Sequence, residues 1–421
     1  MNTNGHFITV FEHEKLVFNL KDEKERQLLE ALEVYHGNQT PFFKLIRHGV
    51  QFNEYVGIIQ IGKTTIEVLP KADKSGEKKW RKLLIGMIQT VWGFDVKSTG
   101  SSSLKLKSNS ILELYFELFL SEVEYLLHRG LIKRYRKNEG NQSSLKGSLK
   151  FSKHITQNLV HKERFYVNYT QYTNEHSIHE ILFKTIQLLK KINTNPVLNG
   201  RIGALTLNFP EMRDIKINAS TFHKIVYDRK NQHYKVALEI AKLLLLNYHP
   251  DISKGRNDVL ALMFDMNNLW EQFIVVTLKR KLKSHNVTSQ VTKSFWKPDS
   301  GYSSKMRPDI ILKCKESQQI FVLDTKWKKL NGYNPSPEDL RQMYVYHRFY
   351  QANKVALIYP SDQHIIKKGN YFSSDKHGEM SEKECSIMQI ATSTDIKTWQ
   401  EEIVKNISKL FLSKRDSNSI N

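Results

Sequence analysis

Residues 306–328 decide the fold of the last third of this chain and read MRPDIILKCKESQQIFVLDTKWK. A polar segment separates two apolar stretches, and both stretches contain residues that favour strands. The pattern predicts a strand over 307–312, a turn over 315–319 and a second strand over 320–326. A connection this short favours a hairpin, so the two strands are expected to be neighbours in one sheet.

Three chemically active side chains are expected to meet in this hairpin. Asp309 lies near the start of the first strand and should stand beside Asp324 of the second. Because residues two apart on a strand share a face, Asp324 and Lys326 should project together. Two carboxylates suit a hard cation such as Mg²⁺, and an adjacent ammonium group can orient or activate a water and offset charge on a phosphate. Burying two acids is costly unless a cation balances them.

A surface ion pair is the simpler interpretation of Asp324 and Lys326. Pro-Asp pairs and Asp-x-Lys triplets are frequent by chance, and a short motif taken alone is mostly a false positive. Here, however, both motifs fall on predicted strands at hairpin spacing, with an acidic helix before them and an amphipathic helix after them. The combination favours a metal site over an incidental pair.

The elements around the hairpin form an α/β pattern. A helix is predicted to begin after 264–267, followed by a strand over 287–295. Behind the hairpin, the sequence predicts a helix over 338–350 and a buried strand over 355–359, which Pro360 should end. The order is therefore helix, three strands, helix, strand.

The rest of the chain divides into a β-rich front and a mostly helical middle. Two strands are predicted over 57–61 and 66–69, and the helices that follow are predicted over 80–91, 111–128, 176–192 and 235–246. The whole pattern predicts a multidomain α+β protein with a C-terminal α/β core. Its expected regions are 1–110, 111–255, 256–362 and a C-terminal extension of unknown role, 363–421.

Residues 57–64 fit the bare phosphate-loop pattern G-x-x-x-x-G-K-[ST]. The residues between the two glycines are largely apolar and β-prone, unlike a loop that wraps around phosphates, and no helical pattern follows Thr64. We therefore interpret the segment as a hairpin turn and expect no nucleotide-binding P-loop.

Composition restricts the class of protein. The chain has 421 residues, with 64 Lys and Arg against 43 Asp and Glu, a formal net charge of +21. Such a surplus favours a polyanionic partner such as DNA, although it also serves solubility. The two cysteines, Cys314 and Cys385, exclude a disulfide framework and a Cys-based zinc site. No apolar run approaches the ~20 residues of a membrane helix and no signal peptide is found, which predicts a cytoplasmic protein without a membrane partner.

Positive charge is concentrated between residues 129 and 164, where ten Lys and Arg stand against two Glu. Aromatic residues, among them Tyr135 and Phe151, are interleaved with these cations. The stretch has the composition of a surface that follows phosphates, and equally that of one solvated helix face and a loop.

The Pro-Asp pair at Asp309 and the Asp-Thr-Lys triplet that begins at Asp324 together resemble the PD-(D/E)xK nuclease superfamily. The resemblance implies that Asp309 and Asp324 are metal ligands and that Lys326 is the catalytic lysine. Glu271 matches the acidic residue often found on the helix before the sheet, and would complete the metal shell. A solvent-facing helix position is the alternative for Glu271.

Gln342 and Tyr346 resemble the Gln-x-x-x-Tyr element of the RecB-like branch of this superfamily. Residues four apart share a helix face, so the resemblance implies that both side chains look into the site as further catalytic residues. A core tyrosine and an exposed glutamine are the alternative.

The similarity narrows to the McrC family, the nuclease subunits of McrBC modification-dependent restriction systems. The motifs that carry it are 306–310, 323–328 and 339–346, with weaker matches at 66–71, 146–149 and 268–273. The resemblance spans most of the chain from about Ile58 to Tyr359, and residues 367–421 have no counterpart in it.

The resemblance to McrC implies a Mg²⁺-dependent DNA endonuclease, with Mn²⁺ as an alternative metal. It also implies a partner, an McrB-like AAA+ GTPase hexamer that recognises modified DNA, and a front and middle of the chain that engage this ring. Two other functions stay open: a stand-alone DNA nuclease that needs no ring, and a non-catalytic adaptor that stimulates a partner NTPase.

Overall fold

The computed structural model describes residues 7–37, 40–70, 76–92, 111–249, 258–330, 334–373 and 378–410. The chain forms two compact units. The first comprises Met1–Gly5, Gln60–Lys63 and Leu106–Leu262, and the second comprises His6–Ile59, Thr64–Lys105 and Met263–Asn421. The four regions expected from the sequence stay a prediction of the domain limits.

Nineteen strands, eleven α-helices and a short 3₁₀-helix are found in the described residues. Up to residue 92 they are β1 (Phe7–Phe11), β2 (Lys15–Val17), α1 (Glu23–His36), β3 (Phe43–Ile46), β4 (Gly49–Phe52), β5 (Tyr55–Ile61), β6 (Thr64–Leu69) and α2 (Glu77–Trp92). From 111 to 249 they are α3 (Ile111–Arg129), β7 (Arg134–Gln142), β8 (Ser148–Leu149), α4 (Phe151–Asn158), β9 (Phe165–Thr173), α5 (Ser177–Ile192), α6 (Pro196–Asn208), α7 (Ala219–His223), the 3₁₀-helix (Gln232–Tyr234), α8 (Lys235–Leu246) and β10 (Tyr248–His249). From 259 onward they are β11 (Val259–Asp265), α9 (Met266–Lys281), β12 (His285–Ser289), β13 (Lys293–Trp296), β14 (Ser304–Met306), β15 (Ile310–Cys314), β16 (Ile320–Thr325), α10 (Pro337–Phe349), β17 (Lys354–Ser361), β18 (Ile365–Phe372), β19 (Met380–Ala391) and α11 (Ile396–Ser408).

The fold is a mixed α/β multidomain one with a β-rich N-terminal region, as the sequence predicts. Gly62 and Lys63 form the turn between two strands within residues 57–64, because β5 ends at Ile61 and β6 begins at Thr64. Gly62 has a positive φ of 53°, which glycine adopts without strain. The interpretation of this segment as a hairpin turn is therefore confirmed.

The middle of the chain is less helical than expected. β7 pairs with β9 in antiparallel register from Arg134↔Thr173 onward, and β8 pairs with the other side of β9. These strands lack the regular apolar alternation by which a half-buried strand is recognised, so their sequence does not reveal them. Gly147 is required before β8: its φ is 90°, and a Cβ there would lie 2.1 Å from the carbonyl oxygen of Asn168.

The second unit contains a six-stranded sheet with the order β12-β15-β16-β17-β19-β18. β15 and β16 are antiparallel, and Ile310 pairs with Leu323, which confirms the predicted hairpin. β17 runs parallel to β16, and β19 runs parallel to β17. Because β18 and β19 lie beyond residue 362, part of the C-terminal extension belongs to the same sheet as the hairpin.

Two predictions for individual strands are wrong. The strand expected over 287–295 is two strands: Gln290 has a positive φ of 55°, β12 ends before it, and β13 joins a separate sheet with β14. Pro360 does not end β17, which runs to Ser361. The last pair between β17 and β16 is at Ile358, and a proline is tolerated where a strand has lost one neighbour.

Candidate active site

Asp309 immediately precedes β15, opposite the end of β16. Its Oδ2 accepts two hydrogen bonds from Thr325, one from the backbone N at 2.6 Å and one from the hydroxyl at 2.8 Å. These bonds hold the Asp309 carboxylate against the end of β16. The structure thus brings Asp309 next to Asp324, as the hairpin prediction requires.

Asp324 is almost completely buried, with 1 % of its surface exposed. Lys326 Nζ lies 2.7 Å from Asp324 Oδ2. At this distance the ammonium group pairs with the oxygen, and no other donor to it is found among the described residues. Burial raises the pKa of Asp324 to about 7, and the Asp309 carboxylate adds to the rise, against the pull of Lys326. A buried carboxylate that faces a second carboxylate has the chemistry of a cation ligand.

Lys326 projects toward Asp324, as the alternation of a strand predicts. Burial opposes the charge of this amine, but the carboxylates of Asp324 and Asp309 raise the pKa of Lys326 above its ordinary value. Lys326 is therefore an ammonium ion at neutral pH. Its Nζ also donates a hydrogen bond of 3.4 Å to Oε1 of Gln342.

Gln342 and Tyr346 continue this hydrogen-bonded chain on one face of α10. Gln342 Nε2 donates to the Tyr346 hydroxyl over 2.8 Å, and that hydroxyl donates to the backbone carbonyl of Arg307 over 3.1 Å. Tyr346 is also a core residue, with 4 % of its surface exposed. The chain connects Lys326 with the backbone just before Asp309, so it can hold the lysine and the acid in a common geometry.

Glu271 stands one residue after the buried Trp270 of α9. Trp270 stacks on Trp399 of α11 at 5.5 Å, which fixes the rotation of α9. Glu271 Oε1 accepts a hydrogen bond of 3.0 Å from Gln290 Nε2. Burial raises the pKa of Glu271, and the charge of Asp309 contributes. The described part of the chain holds no group of three or more His, Cys, Asp or Glu side chains arranged to bind a metal, so a role for Glu271 as third ligand stays a prediction.

The family model of the McrBC 5-methylcytosine restriction system component matches residues 50–360. The chain belongs to this family. The resemblance to McrC found in the sequence is confirmed, and the matched residues include both strands of the hairpin. No curated protein matches the chain.

Two solved structures are similar to this McrBC family member. One is a chain of the refined half-complex from the tetradecameric assembly of Thermococcus gammatolerans McrB AAA+ hexamers with bound McrC: the TM-score is 0.73, the identity 19 %, and the match covers 96 % of this protein and 100 % of that chain. The other is a chain of the cryo-EM structure of the Thermococcus gammatolerans McrBC complex, with a TM-score of 0.49, 18 % identity, and coverage of 66 % and 89 %. At this identity the first similarity shows the fold. Among the described residues, no helix has the length and apolar character needed to cross a membrane.

The structure of this McrBC family member adds two residues that the sequence analysis did not assign to the site. Thr325 holds Asp309, as described above. Asp339, in the first turn of α10, accepts hydrogen bonds from Lys328 Nζ at 2.7 Å and from the Tyr359 hydroxyl at 3.3 Å. Burial opposes its charge, but Lys328 holds the pKa of Asp339 below its usual value. In the sequence, the one sign of this pair was that Lys328 stands two residues after Lys326, on the same side of the chain as an extended segment.

Proposed function

We propose that this chain is the metal-dependent DNA endonuclease subunit of an McrBC-like restriction system, with a PD-(D/E)xK core, and that it hydrolyses phosphodiester bonds. One observation carries the proposal. The carboxylates of Asp309 and Asp324 meet at the open end of a hairpin with the ammonium group of Lys326, and a buried oxygen of Asp324 has no partner among the described residues other than that ammonium group.

The donor set fits a hard divalent cation. Carboxylate oxygens are the ligands that Mg²⁺ prefers, and a cation would relieve the repulsion between the two acids that raises the pKa of Asp324. Asp309 and Asp324 would hold Mg²⁺, with Mn²⁺ as the alternative, and Glu271 is the candidate for a third ligand. When bound, such an ion supplies Lewis acidity and lowers the pKa of a coordinated water.

The side chains of this protein have separate tasks in the proposed hydrolysis. Because Lys326 is charged, it acts as a hydrogen-bond donor that orients the attacking water and offsets negative charge on the phosphate. Gln342 accepts a hydrogen bond from Lys326, and Tyr346 links Gln342 to the backbone before Asp309. Gln342 and Tyr346 are therefore proposed as positioning residues, while Asp309, Asp324 and Lys326 touch the reacting groups.

The partner proposed for this chain is an McrB-like AAA+ GTPase hexamer in the cytoplasm. The family match to a restriction system component supports this assignment. The similar fold comes from an assembly of McrB AAA+ hexamers with bound McrC. Cleavage would then depend on the partner and on GTP, and the ring would recognise the modified DNA.

The test is a cleavage assay on methylated DNA with Mg²⁺, GTP and the partner GTPase. Asp309→Ala and Lys326→Ala are each expected to lower the cleavage rate about 100-fold or more, with binding to the partner retained. Glu316→Ala is the matched control, because Glu316 is an exposed acid in the turn of the same hairpin. Cleavage at the wild-type rate in both site variants would overturn the site.

The same assay separates the alternatives. Cleavage by the chain alone, at the same rate with and without partner and GTP, would identify a stand-alone nuclease. Stimulation of the partner GTPase without cleavage under any condition would identify an adaptor.

A further inference from the structure

The small sheet of β13 and β14 and the connection between its strands carry three largely exposed aromatic rings, of which Phe295 also contacts Phe349 of α10 at 5.4 Å. Trp296 and Phe295 are 59 % and 51 % exposed, and Tyr302, in the connection between the two strands, is fully exposed. We call residues 291–307 the aromatic hairpin. Exposed large apolar side chains concentrated on one short hairpin are a feature that marks binding surfaces.

The aromatic hairpin is fixed to the end of α10. The Tyr350 hydroxyl lies 2.7 Å from the carbonyl oxygen of Val291 and 3.3 Å from that of Met306, so it contacts both sides of the hairpin base. Lys293 Nζ donates to the carbonyl of Phe349 over 3.0 Å and lies 4.7 Å from the ring of Tyr350. These contacts fix the base of the hairpin that carries the exposed rings, and a pre-formed scaffold lowers the entropic cost of binding.

A basic pocket of about 750 Å³ lies between the aromatic hairpin and α10. Its lining contains three cationic residues and no acidic one: the cations are Lys305, Arg307 and Arg341. Arg341 forms an exposed ion pair with Glu338 at 2.7 Å, whereas Lys305 and Arg307 form no salt bridge with any described residue. The ring of Phe295 completes the lining. The pocket therefore combines positive charge with an aromatic wall.

The basic pocket leads toward the candidate active site. Gln342 and Tyr346 form part of its lining, and Gln342 accepts the hydrogen bond from Lys326 Nζ. Arg307 stands two residues before Asp309, in the connection between β14 and β15. A ligand held in this pocket thus lies beside the groups proposed to carry out hydrolysis.

We propose that the aromatic hairpin and the basic pocket bind an unpaired DNA strand next to the phosphate that is cut, with Trp296 and Tyr302 stacking on bases. Cations placed beside exposed rings match the alternation of phosphate and base in a single strand. Bases paired inside a duplex present only their edges in the grooves and are not available for stacking. This inference rests on the proposed function, since it names the form of DNA that the same site takes.

The experiment measures binding of the full chain to a short fluorescein-labelled single-stranded oligonucleotide by fluorescence anisotropy, in EDTA so that no cleavage occurs. Trp296→Ala and Tyr302→Ala are each expected to weaken binding about 10-fold, the effect of removing one stacking ring. Trp296→Phe should restore most of the affinity. Phe372→Ala is the matched control, because Phe372 is an exposed aromatic residue on β18 of the same unit and should bind as the wild type does.

A blunt duplex of the same sequence serves as the second probe, and its affinity should change less than about twofold in the two alanine variants. Wild-type affinity of both variants for the single strand would overturn the inference. An equal loss for single strand and duplex would also overturn it, since the hairpin would then act on phosphates alone.

The cleavage assay distinguishes failure of the single-strand binding proposal from failure of the proposed nuclease function. If the chain cuts DNA with its partner and the two alanine variants cut with unchanged KM, the hairpin proposal fails and the nuclease proposal stands. If the alanine variants lose single-strand affinity but the wild type never cuts, the nuclease proposal fails alone.

Discussion

Two ion pairs of the second unit each contain a buried acid and differ in their hydrogen bonds. Glu67 of β6 is fully buried, and Arg81 of α2 donates hydrogen bonds to both of its carboxylate oxygens. Arg81 Nε lies 3.0 Å from Oε1 and 2.9 Å from Oε2, and Nη2 also donates to Oε2. Asp324 is equally hidden, yet among the described residues its Oδ2 has only the Lys326 ammonium group as a partner, at 2.7 Å. Burial raises the pKa of Glu67 and of Asp324. The number of hydrogen bonds that each acid accepts, rather than burial, distinguishes the candidate site.

The largest expected effect comes from exchanging the two acids for amides. Asp324→Asn should lower metal-dependent cleavage about 100-fold or more, while the metal-free protein keeps or gains stability because a repelling charge is removed. Glu67→Gln should do the reverse. It should cost about 2 kcal/mol of unfolding free energy, because the hydrogen bonds from the Arg81 guanidinium lose their charged acceptor, with cleavage per folded molecule unchanged.

Chemical denaturation and the cleavage assay measure these two effects separately. If Asp324→Asn destabilised the protein as much as Glu67→Gln does, Asp324 and Lys326 would be a structural pair and the contrast would disappear.

His179 of α5 extends the comparison to a buried neutral group in the first unit. Its Nδ1 lies 2.6 Å from the Asn174 carbonyl oxygen and its Nε2 lies 3.1 Å from the Tyr234 hydroxyl. Burial lowers the pKa of His179 to about 4. As the pH falls below 6.5, the ordinary pKa of histidine, this imidazole takes up a proton in the unfolded chain before it does so in the folded one. Protonation therefore favours the unfolded chain, and His179 lowers the unfolding free energy between pH 6.5 and 4 by up to about 3 kcal/mol.

Denaturation curves between pH 7 and pH 4 test this effect, with His179→Gln expected to flatten the profile. His161→Gln is the control, since His161 is more than half exposed. A profile that His179→Gln leaves unchanged would show that burial does not suppress the charge of His179.

The smallest expected effect lies in the hydrogen-bonded chain behind Lys326. Tyr346→Phe removes the hydroxyl that joins Gln342 to the Arg307 carbonyl, and should lower the cleavage rate about 10-fold while costing about 1 kcal/mol of stability. Tyr344→Phe, two residues away on α10, should leave cleavage unchanged. If Tyr346 were merely structural, the Tyr346→Phe variant would be less stable but would keep the full cleavage rate. Single-turnover kinetics on the folded enzyme would reveal this.

Local sequence patterns were sufficient for much of this fold. The hairpin that joins Asp309 to Asp324, helix α8 and the turn before Thr64 all follow from periodicity and turn chemistry, because each involves residues close in the chain. The break at Gln290 and the strands β7 and β9 were missed. Gln290 is neither glycine nor proline, and exposed polar strands carry no apolar alternation.

The neighbours of β17 show that the periodicity of a sequence does not predict the order of strands in a sheet. Nothing in 380–391 indicates that β19 should pair with β17 while β18, which precedes it, lies at the sheet edge. Strand order depends on which apolar faces cover one another, and that is a property of the assembled sheet.

The amino-acid sequence by itself determined the chemistry available to this protein: two acids and a lysine on neighbouring strands, a family, and a strongly basic surface. Only the tertiary structure decided which partners these groups have. Thr325 occupies an oxygen of Asp309, Gln342 accepts from Lys326, and among the described residues a buried oxygen of Asp324 has only the Lys326 ammonium group as a partner. The reason is physical: hydrogen-bond satisfaction depends on contacts between residues far apart in the chain, and local sequence does not encode those contacts.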